Sequence, residues 1–456
     1  MSAESFPPGP DGEVLCPSYP DLAPAQRPPT MVSYGLPYEQ ACRKHVDGFL
    51  GARRVYVLAS RTLARQTGCV ARLEAALGAK HAGTWVGVAA HTPYDGVAAV
   101  LRAVRAAQAD CLLTLGGGSL TDAAKFVAYA LENGAKSVDD LAALAAPFVR
   151  SADDADVEAA LAGAIPGAAG PRVPLVFVPT TLSGAEYTRF AGATDPRTRM
   201  KVQLSHPRMY AALVVLDAAL ARAATPDWLW LSTGARAVDH CVECLCAPPP
   251  PPPPPPPLGS GSGGRGEAIF ERSLRDIARS LLRGARDPAD LDARLAAHLA
   301  CKDATVGLVL GVYPGASHGI GHNLGPLGVG HGQTSCVLLP AVLKYNAARA
   351  GADADVDAAA RQERVRDVLW SEPEVADVLV PRGLSRGAGG GDLGDAVRAL
   401  FDEFGLPRSL KDVGVGRDKW DQLALNSLED KCCKMNPVPL TQKAQVLEIL
   451  EMCSGE

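Results

Sequence analysis

Long apolar runs are missing from this chain. No hydrophobic segment approaches the roughly twenty residues that a bilayer-spanning helix needs, which excludes a helical membrane anchor. Blocks of like charge are missing too: Lys and Arg number 45 against 50 Asp and Glu, a net charge of −5, leaving no basic patch for nucleic acid or an anionic membrane. The first thirty residues, MSAESFPPGPDGEVLCPSYPDLAPAQRPPT, hold neither the apolar core of a secretion signal nor the arginines of a transit peptide. A disulfide framework is absent as well, because twelve cysteines lie scattered through a long chain. These absences point to a reduced, cytoplasmic protein with no nucleic-acid or membrane partner.

What is present is ordinary globular composition, 47% hydrophobic and 21% charged over 456 residues, enough for two domains. A proline-rich leader, 1–32, is expected to be disordered. Short β-type runs then alternate with helical patterns: RRVYVLAS (53–60), WVGVAA (85–90), CLLTL (111–115), PLVFVP (174–179) and AALVVL (211–216). Alternation with helices of ten to fifteen residues predicts a parallel sheet covered on both faces, an α/β nucleotide-binding domain over 33–216. Strand signals fade beyond Asp217, predicting an all-α domain over 217–456. That domain is interrupted by a Pro/Gly/Ser-rich insertion at 248–266 containing ten consecutive prolines. Such an arm is read as a tolerated insertion that could also dock a proline-recognition domain.

In LGGGSLTDAAK (115–125) a strand ends in three glycines and a helix starts near Ser119. Backbone N–H groups at such a turn can approach a phosphate, and the helix N-terminus adds partial positive charge. Asp122 and Lys125, in the first turns, are expected within reach of ribose or phosphate. A bare glycine run is often only a tight turn, and this one lacks the G-x-G-x-x-G spacing. VPTTLSGAEYT (178–188) leaves another strand with hydroxyls at Thr180 and Thr181, and a nucleotide could lie across the two loops.

GGGSLTDAAK resembles the G-G-G-S-x-x-D-x-(A/T)-K signature of the iron-containing alcohol dehydrogenase family. VPTTLSGAE resembles its P-T-T loop, HGIGHNLG followed by HG its histidine segment, and NPVPL (436–440) its N-P-x-P element. The resemblance runs in order from about residue 33 to 450. It implies a dehydroquinate synthase-like architecture, Rossmann-like in its nucleotide binding, with the active site between the two domains. It also implies that Gly117, Gly118 and Ser119 hold the pyrophosphate with Asp122 beside them, that Thr180, Thr181 and Ser183 line the nicotinamide side, and that Lys201 approaches the ribose. Ser60 and Arg61 follow the first strand where an acidic residue would favour NAD, so NADH and NADPH are both expected cofactors.

In metal-dependent members a D-A-x-x-H helix and two later histidines hold the ion. The matching segment here is TGARAVDHCVE (233–243). His240 takes the histidine position, His318 and His331 match the later ligands, and His322 is an extra, catalytic-type histidine. Arg236 occupies the aspartate position. A guanidinium stays charged and repels a divalent cation by on the order of several kcal/mol at about 4 Å in a partly buried site. Asp239 points about 100° away from His240 around the helix, and Glu243 takes a family position that is not a ligand. No metal is expected. Three histidines alone can hold zinc, and a bound ion would use His240, His318 and His331.

SHGIGHNLG is closer to the maleylacetate reductase branch, which lacks the aspartate and works without metal. That branch implies an NAD(P)H-dependent reduction of maleylacetate, to 3-oxoadipate, or of a related unsaturated oxo-acid, as in aromatic compound degradation. Arg236 would hold a carboxylate, and His240, His318 and His322 are candidates for enolate stabilisation and proton donation. A metal-dependent alcohol dehydrogenase or aldehyde reductase is the second reading. A non-catalytic nucleotide-binding protein with a partner-docking proline arm is the third, and a non-redox relative resembling dehydroquinate synthase the fourth. A homodimer is the expected assembly.

Overall fold

A computed structural model describes residues 6–19, 29–89, 91–149, 168–198, 201–248, 263–349, 357–386 and 389–455. The chain divides into two compact units, Met1–Thr225 and Pro226–Glu456, a short way past the expected break at 216/217.

The first unit is built on a seven-stranded sheet ordered β1-β2-β9-β6-β5-β3-β4. Its strands are β1 (Val14–Pro17), β2 (Met31–Tyr34), β3 (Val55–Ala59), β4 (His81–Val86), β5 (Cys111–Gly116), β6 (Leu175–Pro179) and β9 (Leu213–Leu216). All pair in parallel except β1 with β2. The central strands β3, β5, β6 and β9 are buried along their whole length, which is why they read as unbroken hydrophobic runs rather than alternating ones. On one face Val55, Val57, Leu113, Leu115, Val176 and Val215 pack against the helices Tyr38–Asp47 and Cys69–Leu77. A separate hairpin, β7 (Phe190–Thr194) with β8 (Lys201–Ser205), follows β6.

Three expectations need correction. The leader is not wholly disordered: β1 lies within it and closes the sheet edge. Glu13, beside β1, is buried where Lys44 Nζ and His45 Nε2 each reach its carboxylate at 2.6 Å and Ser33 also bonds to it, so the leader is clasped by charge as well as by the ladder. The strand expected at WVGVAA (85–90) is β4, which runs His81–Val86 because its pairing with β3 begins at Val55 with His81 and stops at Ala59 with Val86. The insertion expected to reach residue 266 ends earlier, since a helix starts at Gly263; the proline run beyond Pro248 lies outside the described residues.

In the second unit no strand occurs among the described residues. Its helices include Asp227–Cys246, Gly263–Arg286, Leu291–Ala304, Ala316–Leu324 and His331–Arg349. Ile320, Leu324, Val337, Leu338, Trp420 and Ile449 contribute to one core there. Among the described residues no helix is long and apolar enough to cross a membrane, and all twelve cysteines are buried thiols outside any disulfide, Cys241, Cys244, Cys432 and Cys433 among them.

Lys125 departs from its expected place near a ligand. Its side chain is fully buried, and Nζ donates to the carbonyl oxygens of Ala185 (2.6 Å), Thr188 (2.6 Å) and Phe190 (2.9 Å). Burial pulls its pKa down to about 8, with Asp122 and Glu186 opposing. The ammonium therefore ties down the segment after β6. Lys125→Met would strand those carbonyls, and we expect a loss of about 2–4 kcal/mol. Chemical denaturation would read it as a lower midpoint at unchanged slope.

Candidate active site

In the first unit the carboxyl ends of β3, β5 and β6 are neighbours, so the segments leaving them converge. Ser60 N–H donates to Leu115 O (3.0 Å) and Thr180 N–H to Gly116 O (3.2 Å). Gly116 has φ +147°, and a Cβ there would lie 2.6 Å from Leu120 and 3.0 Å from Ser60. A Cβ on Gly117 would meet Thr181 at 3.3 Å, and one on Gly118 would meet Ser183 Oγ at 2.8 Å. Ser60, Gly117, Gly118, Thr180, Thr181 and Ser183 are thus brought together. The helix Gly118–Glu132 starts there with no side-chain cap, leaving its first N–H groups to an anion. Ser119 and Asp122 are half-buried in its first turns. Lys201 opens β8, paired with Thr194 rather than with these loops.

Glu186 lies just beyond Ser183. It is buried, its Oε1 has no hydrogen-bond partner, and Ser183 Oγ approaches Oε2 at 3.5 Å. Burial pushes its carboxyl up to about 7 against the pull of Lys125. Sequence reasoning passed over it because one glutamate in a loop carries no spacing signal.

The second unit gathers the charged side chains around the helix Ala316–Leu324. Gly315 begins it with no side chain to serve as a cap. Glu243 substitutes: its carboxylate accepts from the N–H groups of Gly315 (2.8 Å), Ser317 (2.8 Å) and His318 (3.3 Å). Asn436 Oδ1 takes Ala316 N–H (3.1 Å), which gives the Asn-Pro element a structural role. His318 Nδ1 lies 2.8 Å from Glu243 and 3.4 Å from Asp239. Since carboxylates only accept, Nδ1 carries the hydrogen and Nε2 is the open end; Nε2 is buried without a partner. Burial and Arg236 push the His318 pKa down, but Asp239 and Glu243 outweigh them and hold it above the ordinary value. Burial drives the Glu243 carboxyl up, with Asp239 adding to the rise, while its N–H donors oppose both.

His240 packs edge-on against His318, centroids 4.4 Å apart, with its Nδ1 buried and unpartnered. Burial and the cationic neighbours His318 and Arg236 hold its pKa well below the ordinary histidine range, so it is a neutral imidazole. His322 is partly exposed and its Nδ1 lies 2.9 Å from Asp430 Oδ2. Asp430 was not anticipated, having no recognisable spacing to the histidines.

Arg236 is buried, and its guanidinium donates to Thr334 Oγ1 (3.3 Å) and Ser335 Oγ (3.1 Å). Among the described residues no carboxylate lies within ion-pair distance of it. Ser335 in turn bonds to Asp239, as does Ser317 at 2.9 Å. Asp239, expected to point away from the site, therefore joins it through His318.

Two family models match: "Iron-containing alcohol dehydrogenase" over residues 29–218, and "Fe-containing alcohol dehydrogenase family, C-terminal" over 266–453. The chain belongs to the iron-containing alcohol dehydrogenase family. It is 39% identical over 432 residues to Dehydrogenase FUM7 of Gibberella moniliformis, covering 93% of this chain and 96% of that one. It is 38% identical over 403 residues to Dehydrogenase ALT3 of Alternaria alternata, covering 88% and 98%. The crystal structure of maleylacetate reductase from Agrobacterium tumefaciens matches with a TM-score of 0.66 at 22% identity, over 94% of this chain and 97% of that one, and supports the dehydroquinate synthase-like fold. This family member is an oxidoreductase with an α/β nucleotide-type domain and a helical one.

The family name implies iron, and the donor set here does not fit it. Among the described residues His240, His318 and His331 do not gather as a ligand group. His331 instead opens the helix His331–Arg349. Asp239, Glu243 and His318 do lie together, but their facing atoms already hold the helix start, Ser317 and Ser335. An ion there would strip those bonds beside a buried guanidinium. The glycine loop, by contrast, fits a nucleotide phosphate: at Gly117 and Gly118 the backbone lies close to the Thr181 and Ser183 side chains with no room for a Cβ, and the helix start has no side-chain cap.

Two outcomes follow. Because the folded Glu186 value lies above its ordinary 4.5, its contribution to stability is full below that value and is lost as pH rises through about 7. Urea unfolding across this range should show a decline in wild type that Glu186→Gln lacks. Asn436→Ala should cost about 1–3 kcal/mol in the same assay, by orphaning Ala316 N–H and its Asn346 partner.

Proposed function

We propose that this family member is a metal-independent reductase that uses NADH or NADPH to reduce an unsaturated oxo-acid of the maleylacetate kind. The observation that carries the reading is Arg236, a buried guanidinium whose hydrogen-bond partners among the described residues are two hydroxyls, near the histidines. A charged donor of this kind suits a substrate carboxylate, which it can grip through two N–H groups.

Gly117, Gly118 and Ser119 would take the pyrophosphate, and Thr180, Thr181 and Ser183 the nicotinamide side. A bound nicotinamide supplies hydride to the β-carbon of an alkene conjugated to a carbonyl. Arg236 orients the acid and balances the charge gathering on the enolate. His318, fixed through Nδ1 by Glu243 and Asp239, presents Nε2 as the proton-bearing atom and delivers that proton to the enolate. His240, neutral beside it, accepts or relays a hydrogen bond without adding charge. His322, held by Asp430, is available to restore the proton. These roles use protein donors alone, which agrees with the poor fit of the histidines to an ion.

NAD(P)H oxidation measured across maleylacetate, enoyl acids, aldehydes and ketones tests this reading. Turnover of the oxo-acid, unchanged by chelator, is expected; turnover confined to simple aldehydes or alcohols and abolished by chelator would overturn it. Arg236→Leu should lower kcat/KM on the acid by about one to two orders of magnitude, the loss of a charge-assisted contact. The corresponding methyl ester should be affected far less.

A further inference from the structure

We propose that His322, Asp430 and Cys432 form a binding site for a soft divalent cation such as zinc, and that filling it switches the enzyme off. The site is separate from the family's ligand positions, sharing none of His240, His318 and His331. One ligand atom from each of the three side chains lies within 4.8 Å of the other two. Asp430 is the hub: Oδ2 faces His322 Nδ1 at 2.9 Å and Oδ1 accepts Cys432 N–H at 2.9 Å, which keeps the thiol in the same group. One imidazole nitrogen and one backbone N–H thus meet this anion, with the thiol sulfur close by.

A cation can take the place of the His322 Nδ1 hydrogen and the Cys432 thiol hydrogen. Around tetrahedral zinc, with bonds of about 2.0–2.3 Å, ligand atoms stand roughly 3.3–3.7 Å apart, so side-chain shifts on the order of an ångström suffice. The thiol proton and the Nδ1 proton leave to solvent as the metal–sulfur and metal–nitrogen bonds form, the second imidazole nitrogen taking up a proton if the ring is to stay neutral. Charge also favours this trio. One carboxylate and one thiolate cancel the ion's two charges, which the histidine trio, holding no anionic ligand, cannot do. Sulfur and imidazole select zinc-like ions over magnesium or calcium. Entry is open, as the His322 and Asp430 side chains keep 25% and 19% of their exposure. Gly319 makes the space: a Cβ there would fall 3.2 Å from Asp430 Oδ1 and 2.4 Å from Cys433 Sγ.

Cobalt titration of the full-length, chelator-treated protein tests the site without substrate. A near-ultraviolet thiolate-to-cobalt band is expected that saturates at one equivalent, disappears in Cys432→Ser and persists in Cys433→Ser. No band, or a band surviving in Cys432→Ser, overturns the proposal. Cys432→Ala repeats the comparison should the serine variant melt early. The inhibitory half rests on the proposed reductase activity: Cys432→Ser should keep metal-free turnover while raising the zinc needed for half-inhibition about tenfold or more. Equal zinc sensitivity in the variant refutes inhibition through this site. Failure of oxo-acid turnover would leave the cobalt result standing, so the two readings fail separately.

Discussion

The helix Ala316–Leu324 starts at a residue with no side chain, so its first amide hydrogens need acceptors from elsewhere in the fold. Glu243 supplies them for three residues and Asn436 for the fourth. A carboxylate so deeply buried is tolerable only because every oxygen is met by N–H donors. The same oxygen that caps the start of the helix takes His318 Nδ1. Capping and imidazole orientation are therefore one interaction, and the helix cannot shift without turning the ring.

Around that fixed ring, charge is distributed unevenly. Arg236 reaches Asp239 only through the Ser335 hydroxyl, while Asp239 and Glu243 both border His318. Anions support one imidazole, and burial with cationic neighbours neutralises the other, 4.4 Å away. Two chemically identical side chains are driven to opposite protonation tendencies by their surroundings, which is how a site obtains a donor and a neutral companion from the same residue type.

Much of the fold could be read from the chain. Parallel strands buried on both faces leave continuous apolar runs, and VLA before Ser60, CLLTLG and PLVFVP stood out for that reason. β1 and β2 did not, being four residues each among prolines, with pairing set by β9 and by the distant Lys44 and His45 rather than by local pattern. The nucleotide loops were legible because glycine and hydroxyl clusters at strand ends are local signals. Asp239, Thr334, Ser335 and Asp430 were not, since their roles arise where helices far apart in sequence meet. Lys125 misled because its position in the helix says where it starts, not that its tail turns inward to three carbonyls.

The short strand beside Glu13 has a practical implication for handling this protein. Removing residues up to about the eighteenth would bare the ladder edge of β2 and leave the buried His45 imidazole without its Glu13 partner. An exposed β edge is a template for pairing between molecules. Preparations trimmed for tidiness at the proline-rich front would then be the ones that clump, and the intact front end acts as a chaperone-like cover for its own sheet.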